Sequence, residues 1–182
     1  MNIFHLDRDP VVAARMMCDK HVVKMIVEYA QLMSTAHRVL DGAPYIAKTK
    51  NGRKIKRWML PGPAEERLKY KASHVNHPSA IWVRQSAKNY RWIYKHFQEL
   101  CKEYTHRYGK KHKTDKKLSM LLWFAPKNID QVTGLTEFVQ AMPDYCKRDD
   151  PVEAYRNYYL NEKRSFAKWT NREKPYWWKE CA

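Results

Sequence analysis

Glycine is scarce in this chain, with five residues in 182. The scarcity excludes the glycine-rich loops that cradle phosphates in nucleotide-binding folds, and no G-x-S-x-G elbow is present either. It also favours helix over sheet. Cysteine pairs of the C-x-x-C kind are missing. Cys18, Cys101, Cys146 and Cys181 lie far apart, which argues for free thiols in a reducing compartment. No apolar run reaches the ~18 residues of a membrane span, and the opening MNIFHLDRDP is neither basic nor apolar enough for a leader. A soluble cytoplasmic protein with no membrane contact is expected. Acidic residues are the last shortage. Only 19 Asp and Glu stand against 35 Lys and Arg, a formal charge of +16. Such self-repulsion is most readily tolerated when the partner is a polyanion, and nucleic acid is the expected one.

The residues that are present suit one core. The hydrophobic fraction is 44%, and the length fits a single helical DNA-binding domain, residues 1–182, acting as a monomer. Met1 to Leu6 reads as a short extended lead-in. Asp9-Pro10 starts a helical pattern that runs from Val11 to Leu40, interrupted near Cys18, and Asp41-Gly42 ends it. Asn51-Gly52 predicts a two-residue hairpin turn within residues 45–58. A short helix is expected over 64–72. A helix of about 30 residues follows His74–Ser79, its apolar face marked by Val83, Ala87, Tyr90, Tyr94, Phe97, Cys101, Tyr104 and Tyr108. Gly109 closes it. Residues 110–117 read as a basic loop, and further helices are expected over 118–124 and 130–141. Asp150-Pro151 with Glu153 starts a last helix reaching about Trp169. The expected fold is all-α, a compact bundle of five to six helices with a short basic β-hairpin near residues 45–58.

The first long helix carries the most informative pattern. His21, Lys24, Glu28, Gln31, Thr35 and Arg38 recur at spacings of three and four and share one arc of about 100°. Nearly every other position on that helix is apolar. A helix so greasy cannot leave its polar seam open to water along its whole length, so the seam is expected to line a cleft. The alternative is an ordinary solvated face. Lys24 precedes Glu28 by four residues, the less favoured order for a purely stabilising pair. In a cleft the two would shift one another's proton affinity, as acid–base and amine catalysts require.

Two further stretches fit a polyanion. Six of the ten residues from Lys48 to Arg57 are basic (Lys48, Lys50, Arg53, Lys54, Lys56, Arg57), and a basic ribbon gripping phosphates is expected there. At the C-terminal end Trp169, Arg172, Tyr176, Trp177 and Trp178 alternate aromatic and basic character. Such residues stack on bases and bind phosphates, or else they fold back onto the core. Cys18-x-x-His21 lies on one helical face, but no second pair has a zinc spacing and no carboxylate completes a set. No metal and no cofactor is expected.

Several short segments, taken in order, resemble the pyrimidine-dimer DNA glycosylases of phage and bacteria, the endonuclease V type. They are the opening M-N-I-F-H-L, Asp19-x-His21-Val22 followed by Glu28-Tyr29, Asn51-Gly52-Arg53-Lys54-Ile55-Lys56, and Asn76-His77-Pro78 before a long aromatic helix. The last is Pro175-Tyr176-Trp177-Trp178-Lys179. In that family an N-terminal α-amine attacks the sugar C1′ to form a Schiff base, a glutamate supports the chemistry, and the base opposite the lesion is flipped out. The resemblance implies Glu28 as the glutamate and His21 as a neighbour of the site. If the protein is such an enzyme, His21, Gln31 and Asn76 are expected to shape the pocket, and Gln31, Arg38, Asn76 and His77 to meet the DNA. One departure matters. The family exposes a small residue after Met removal, whereas Asn2 follows Met1 here, and Met is retained before Asn. The amine would then belong to Met1, or its role would pass to Lys24, since a desolvated lysine can serve as a Schiff-base nucleophile. The expected activity is a base-flipping glycosylase/AP-lyase on double-stranded DNA, directed at a damaged or modified pyrimidine. The alternatives are a base-modifying transferase on the same scaffold, or a basic DNA-binding or host-interaction protein without chemistry.

Overall fold

Aspartate followed by proline starts two helices, as the sequence implies. The Asp9 carboxylate accepts from the Val11 N–H to cap α1 (Pro10–Met16), and Asp150 accepts from the Val152 N–H to cap the last helix. The computed structural model describes residues 1–68 and 70–178. Within them, seven α-helices and one antiparallel hairpin form an all-α bundle with a short basic ribbon.

The pattern over 11–40 is two helices. Met17 and Cys18 are extended, and α2 (Asp19–Asp41) restarts after them. Strands β1 (Ala43–Lys48) and β2 (Lys54–Met59) pair with Ala43 opposite Met59 and Lys48 opposite Lys54. The expected two-residue turn is a three-residue one. Thr49 N–H donates to Arg53 O at 2.9 Å, so Lys50, Asn51 and Gly52 form the loop. Gly52 takes φ +75°, the left-handed conformation that this longer turn demands at its last position.

Helix α3 (Ala64–Arg67) is a single turn, shorter than expected. The expected 30-residue helix is split into α4 (Pro78–Gln85) and α5 (Ala87–Tyr108) by Ser86. The Ser86 backbone is extended, and its Oγ accepts from Asn89 N–H at 3.1 Å while donating to Gly134 O at 3.0 Å. Helix α6 (Lys113–Leu122) begins inside the expected basic loop, capped by His112. No helix forms over 130–141. The side chains of Trp82, Ser86 and Asn89 bond that segment's backbone instead, with Trp82 Nε1 donating to Glu137 O and Asn89 Oδ1 accepting from Thr136 N–H. Helix α7 (Pro151–Glu162) stops well before Trp169.

Helix α5 packs against α1, α2 and α4 at the centre of the molecule. Ile3, Phe4, His5 and Leu6 run extended into this core and are buried. The core is strongly aromatic, with Tyr29, Trp82, Tyr90, Phe97, Tyr155 and Tyr159 fully enclosed. Cys18, Cys101 and Cys146 are buried free thiols, while Cys181 lies outside the described residues. Among the described residues no helix is long and apolar enough to cross a membrane.

Two core histidines have no hydrogen-bond partner among the described residues. His5 stacks on Phe138 at 3.9 Å beside Trp82 and Trp92, and His96 lies against Trp92 and Tyr29. Burial, reinforced by His96, pushes His5 well below its ordinary value, and burial takes His96 down to about 3. Both rings stay neutral in the fold, while the unfolded chain protonates them below about pH 6.5. The unfolded state therefore binds more protons in acid, and stability falls as pH drops from about 6.5 towards 3. The melting temperature is expected to fall across that window, and His96→Phe to flatten the fall. A slope unaltered by His96→Phe counts against this account.

Candidate active site and nucleic-acid interface

The seam of α2 does not line one cleft from end to end, because both of its ends are buried. His21 lies between Phe4, stacked at 4.3 Å, and Phe166, with its Nδ1 hydrogen-bonded to the Tyr159 hydroxyl. Burial first, then Lys163, Lys24 and Lys20, bring its pKa down to about 3. Seven residues separate it from Glu28, about 10 Å along the axis, so it belongs to the core and not to the carboxylate's immediate surroundings. At the other end Arg38 is 2% exposed. Its guanidinium donates to Tyr70 O, Trp58 O, Leu68 O and the Glu65 carboxylate at 2.6–3.0 Å. The expectation that Arg38 meets nucleic acid is corrected by this, since its donors are already taken. Thr35, also buried, exchanges hydrogen bonds with the backbone of Ser73.

The middle of the seam is where charged groups gather. Glu28 receives three donors. Lys24 Nζ lies 3.2 Å from Oε1, Asn2 N–H donates to Oε2 at 3.2 Å, and the Met1 α-ammonium stands 3.8 Å from the same oxygen. The Met1 side chain is only 3% exposed and packs on the core, whereas the Lys24 side chain is 67% exposed. Lys24 therefore lacks the desolvation that the lysine reading requires. Gln31 sits one turn further along α2, half-buried.

Asn2 is a site residue that the sequence alone did not single out. Its Nδ2 donates to Ala141 O at 2.8 Å, and its Oδ1 accepts from Ile3 N–H and the Tyr155 hydroxyl. These contacts fix the chain beside Glu28. His77 joins the cluster from α4. Its Nδ1 caps that helix by accepting from Ser79 N–H, so the neutral ring carries its proton on Nε2. Burial first, then the Met1 ammonium and His74, lower its pKa against an opposing pull from Glu28. The cluster is thus Met1, Asn2, Lys24, Glu28 and His77, drawn from three segments. Asn76 precedes it and is exposed.

The hairpin supplies a cationic ribbon. Lys48, Lys50, Arg53, Lys54 and Lys56 are exposed. Arg57 turns inward and donates to Ala72 O at 2.9 Å, which removes it from the free cations expected there. Between β2 and residues 72–76 lies a cleft of about 730 Å³, lined by Lys56, Arg57, Trp58, His74 and Asn76 among others. Lys56 Nζ sits 5.2 Å from the Trp58 ring centre.

The C-terminal aromatics fold back, the alternative to base stacking that the sequence left open. Trp169 is buried and donates to Met16 O, Trp177 Nε1 points at the Met16 sulfur, and Trp178 packs on Trp169. Arg172 is held by both oxygens of Glu103. Tyr176 is 77% exposed, while Trp177 and Trp178 are half-buried. Among the described residues, no three His, Cys, Asp or Glu side chains gather to hold a metal.

The chain thus sets an α-amine beside a carboxylate and carries a basic ribbon on the hairpin that follows the same helix. The family model of pyrimidine dimer DNA glycosylase matches residues 1–117. The chain belongs to this family. No curated protein and no solved structure matches it. The family gives the glycosylase a role in DNA repair and DNA as its substrate. The matched region of the glycosylase holds Met1, Lys24, Glu28, the hairpin and His77. Helix α7 and the tryptophan-rich tail lie outside it.

Proposed function

We propose that the protein excises a damaged pyrimidine from duplex DNA through an imine formed by the Met1 α-amine. The observation that carries this reading is the Met1 nitrogen 3.8 Å from Glu28 Oε2, with the Met1 side chain and Asn2 both anchored. The deprotonated amine attacks the sugar C1′, and the C1′–base bond breaks as the base leaves with a proton. Ring opening gives an imine between the Met1 nitrogen and C1′. Loss of a proton from C2′ then expels the 3′ phosphate. Glu28 receives the amine proton and returns it during ring opening. The reaction needs the nucleotide out of the stack. The cleft beside Trp58 is large enough for an extrahelical base, and Lys48, Lys50, Arg53, Lys54 and Lys56 hold the backbone of a bent duplex.

Borohydride trapping on duplex DNA carrying a pyrimidine dimer or an abasic site tests the proposal. The trapped adduct is expected on the peptide that begins at Met1. Lys24→Ala is expected to trap normally, and a short N-terminal extension to abolish trapping. An adduct mapped to Lys24 would move the nucleophile to the lysine. No adduct on either substrate would remove the imine altogether.

A further inference from the structure

A row of four rings lies beside the N-terminal half of α2, partly outside the family match. Tyr158 and Phe4 are near-parallel at 6.0 Å, Phe4 stacks on His21 at 4.3 Å, and His21 meets Phe166 edge-on at 5.8 Å. An ammonium group closes each end. Lys163 Nζ lies 4.2 Å from the Tyr158 ring centre and donates to its hydroxyl at 3.1 Å. Lys20 Nζ lies 4.4 Å from the Phe166 ring centre. Lys24, one turn along α2 from Lys20, is the third cation. Neither Lys20 nor Lys163 has a carboxylate partner among the described residues. Among the described residues, Glu28, paired with Lys24, is the only acidic group bonded to any of the three.

Three ammonium groups around a neutral imidazole repel one another. A role confined to stability would be served better by placing a carboxylate among them, as Glu103 sits between Arg107 and Arg172. The aromatic row holds the Lys20 and Lys163 ammonium groups in place and leaves these two charges without an anion among the described residues. Position gives the anion its identity. Lys20 precedes Glu28 by eight residues, about 12 Å along α2, and the hairpin begins about 22 Å beyond Glu28. The carboxylate thus stands between two groups of cations.

We propose that Lys20, Lys24 and Lys163 form a phosphodiester cradle that holds the DNA backbone on the side of Glu28 away from the hairpin. The proposal rests on the glycosylase reading above and adds a second grip to it. Holding the strand on both sides of the lesion lets the protein keep a duplex bent while one nucleotide leaves the stack.

The test is the salt dependence of binding by the full chain to a duplex carrying an uncleavable abasic analogue. Each lost phosphate contact lowers the slope of log Kobs against log salt by about 0.9, so Lys20→Gln/Lys163→Gln is expected to lower it by about 1.8. Lys20→Arg/Lys163→Arg is expected to keep the wild-type slope. Lys110→Gln/Lys113→Gln, which removes the same charge just past α5 and at the start of α6, outside the ring row, is expected to leave it nearly unchanged. If the first double variant loses its fold, the single variants are expected to lose about 0.9 each. An unchanged slope, or an equal loss from the Lys110/Lys113 pair, overturns the cradle. Trapping separates the two proposals. A lowered slope without any imine keeps the cradle and removes the chemistry, and an imine with an unchanged slope does the reverse.

Discussion

Glu28→Gln is expected to slow base excision by about 10²- to 10⁴-fold, the range for removing a positioned acid–base group. DNA affinity is expected to stay close to wild type. The reason is the company Glu28 keeps. One oxygen pairs with Lys24, and the other accepts from the Asn2 N–H with the Met1 ammonium 3.8 Å away, so Glu28 stands where it can both orient the amine and take its proton. Glutamine keeps the shape and can still accept from Asn2, but it cannot take up a proton, and its amide N–H₂ faces donors. Apart from Lys24, the cations proposed to meet the backbone do not touch Glu28; they lie on the hairpin and at Lys20 and Lys163. Single-turnover kinetics alongside equilibrium binding separates the two effects. A rate loss of under about threefold would remove Glu28 from the acid–base role.

Arg38→Met is expected to cost about 3–5 kcal/mol of stability, because it leaves a carboxylate and three carbonyls without their donor. In a chain of this length that corresponds to a fall in melting temperature of roughly 10 °C. Burial would raise the Glu65 carboxyl, but hydrogen bonds from Arg38 and the Leu60 N–H outweigh it and hold the group below its ordinary value. The same arginine bonds Trp58 O on β2 and Leu68 O after α3. The hairpin is therefore anchored to α2 through it, and DNA affinity is expected to fall together with stability. Thermal melting and binding measured on one preparation check both. A loss below about 1 kcal/mol would show the network to be redundant.

The parts of the fold legible in the sequence were those written in neighbouring residues. Asp9-Pro10, Asp150-Pro151 and Gly109 mark helix ends by local chemistry, and all three do so in the structure. The failures have one physical cause, contacts made by residues distant in sequence. Ser86 breaks an apolar pattern that runs through it, because its hydroxyl serves both Asn89 and Gly134. Residues 130–141 have helical spacing, but the side chains of α4 and α5 claim their backbone. Charge masked α6, whose first turn reads as a basic loop until His112 is seen as its cap. The seam divided for the same reason. Its middle, Lys24 and Glu28, stayed together as spacing implies. Its ends went to partners that helical spacing does not reveal, Phe4 and Tyr159 for His21, Trp58 and Glu65 for Arg38. Asn2 and Met1 reach Glu28 only through the folded core, so the amine's place was visible through family resemblance and not through pattern.

The extended segment Met1–Leu6 has a consequence for the order of synthesis. Its anchors come from the far end of the chain: Ala141 O and the Tyr155 hydroxyl hold Asn2, and Arg156 holds Leu6 O. The segment is thus fixed in part by partners 139 to 153 positions away in sequence. A chain lacking α7 contains every residue of the family match, yet Asn2 loses the Tyr155 hydroxyl and Leu6 loses Arg156. Asn2 and Leu6 therefore gain their full set of partners beside Glu28 only once α7 has been made and docked.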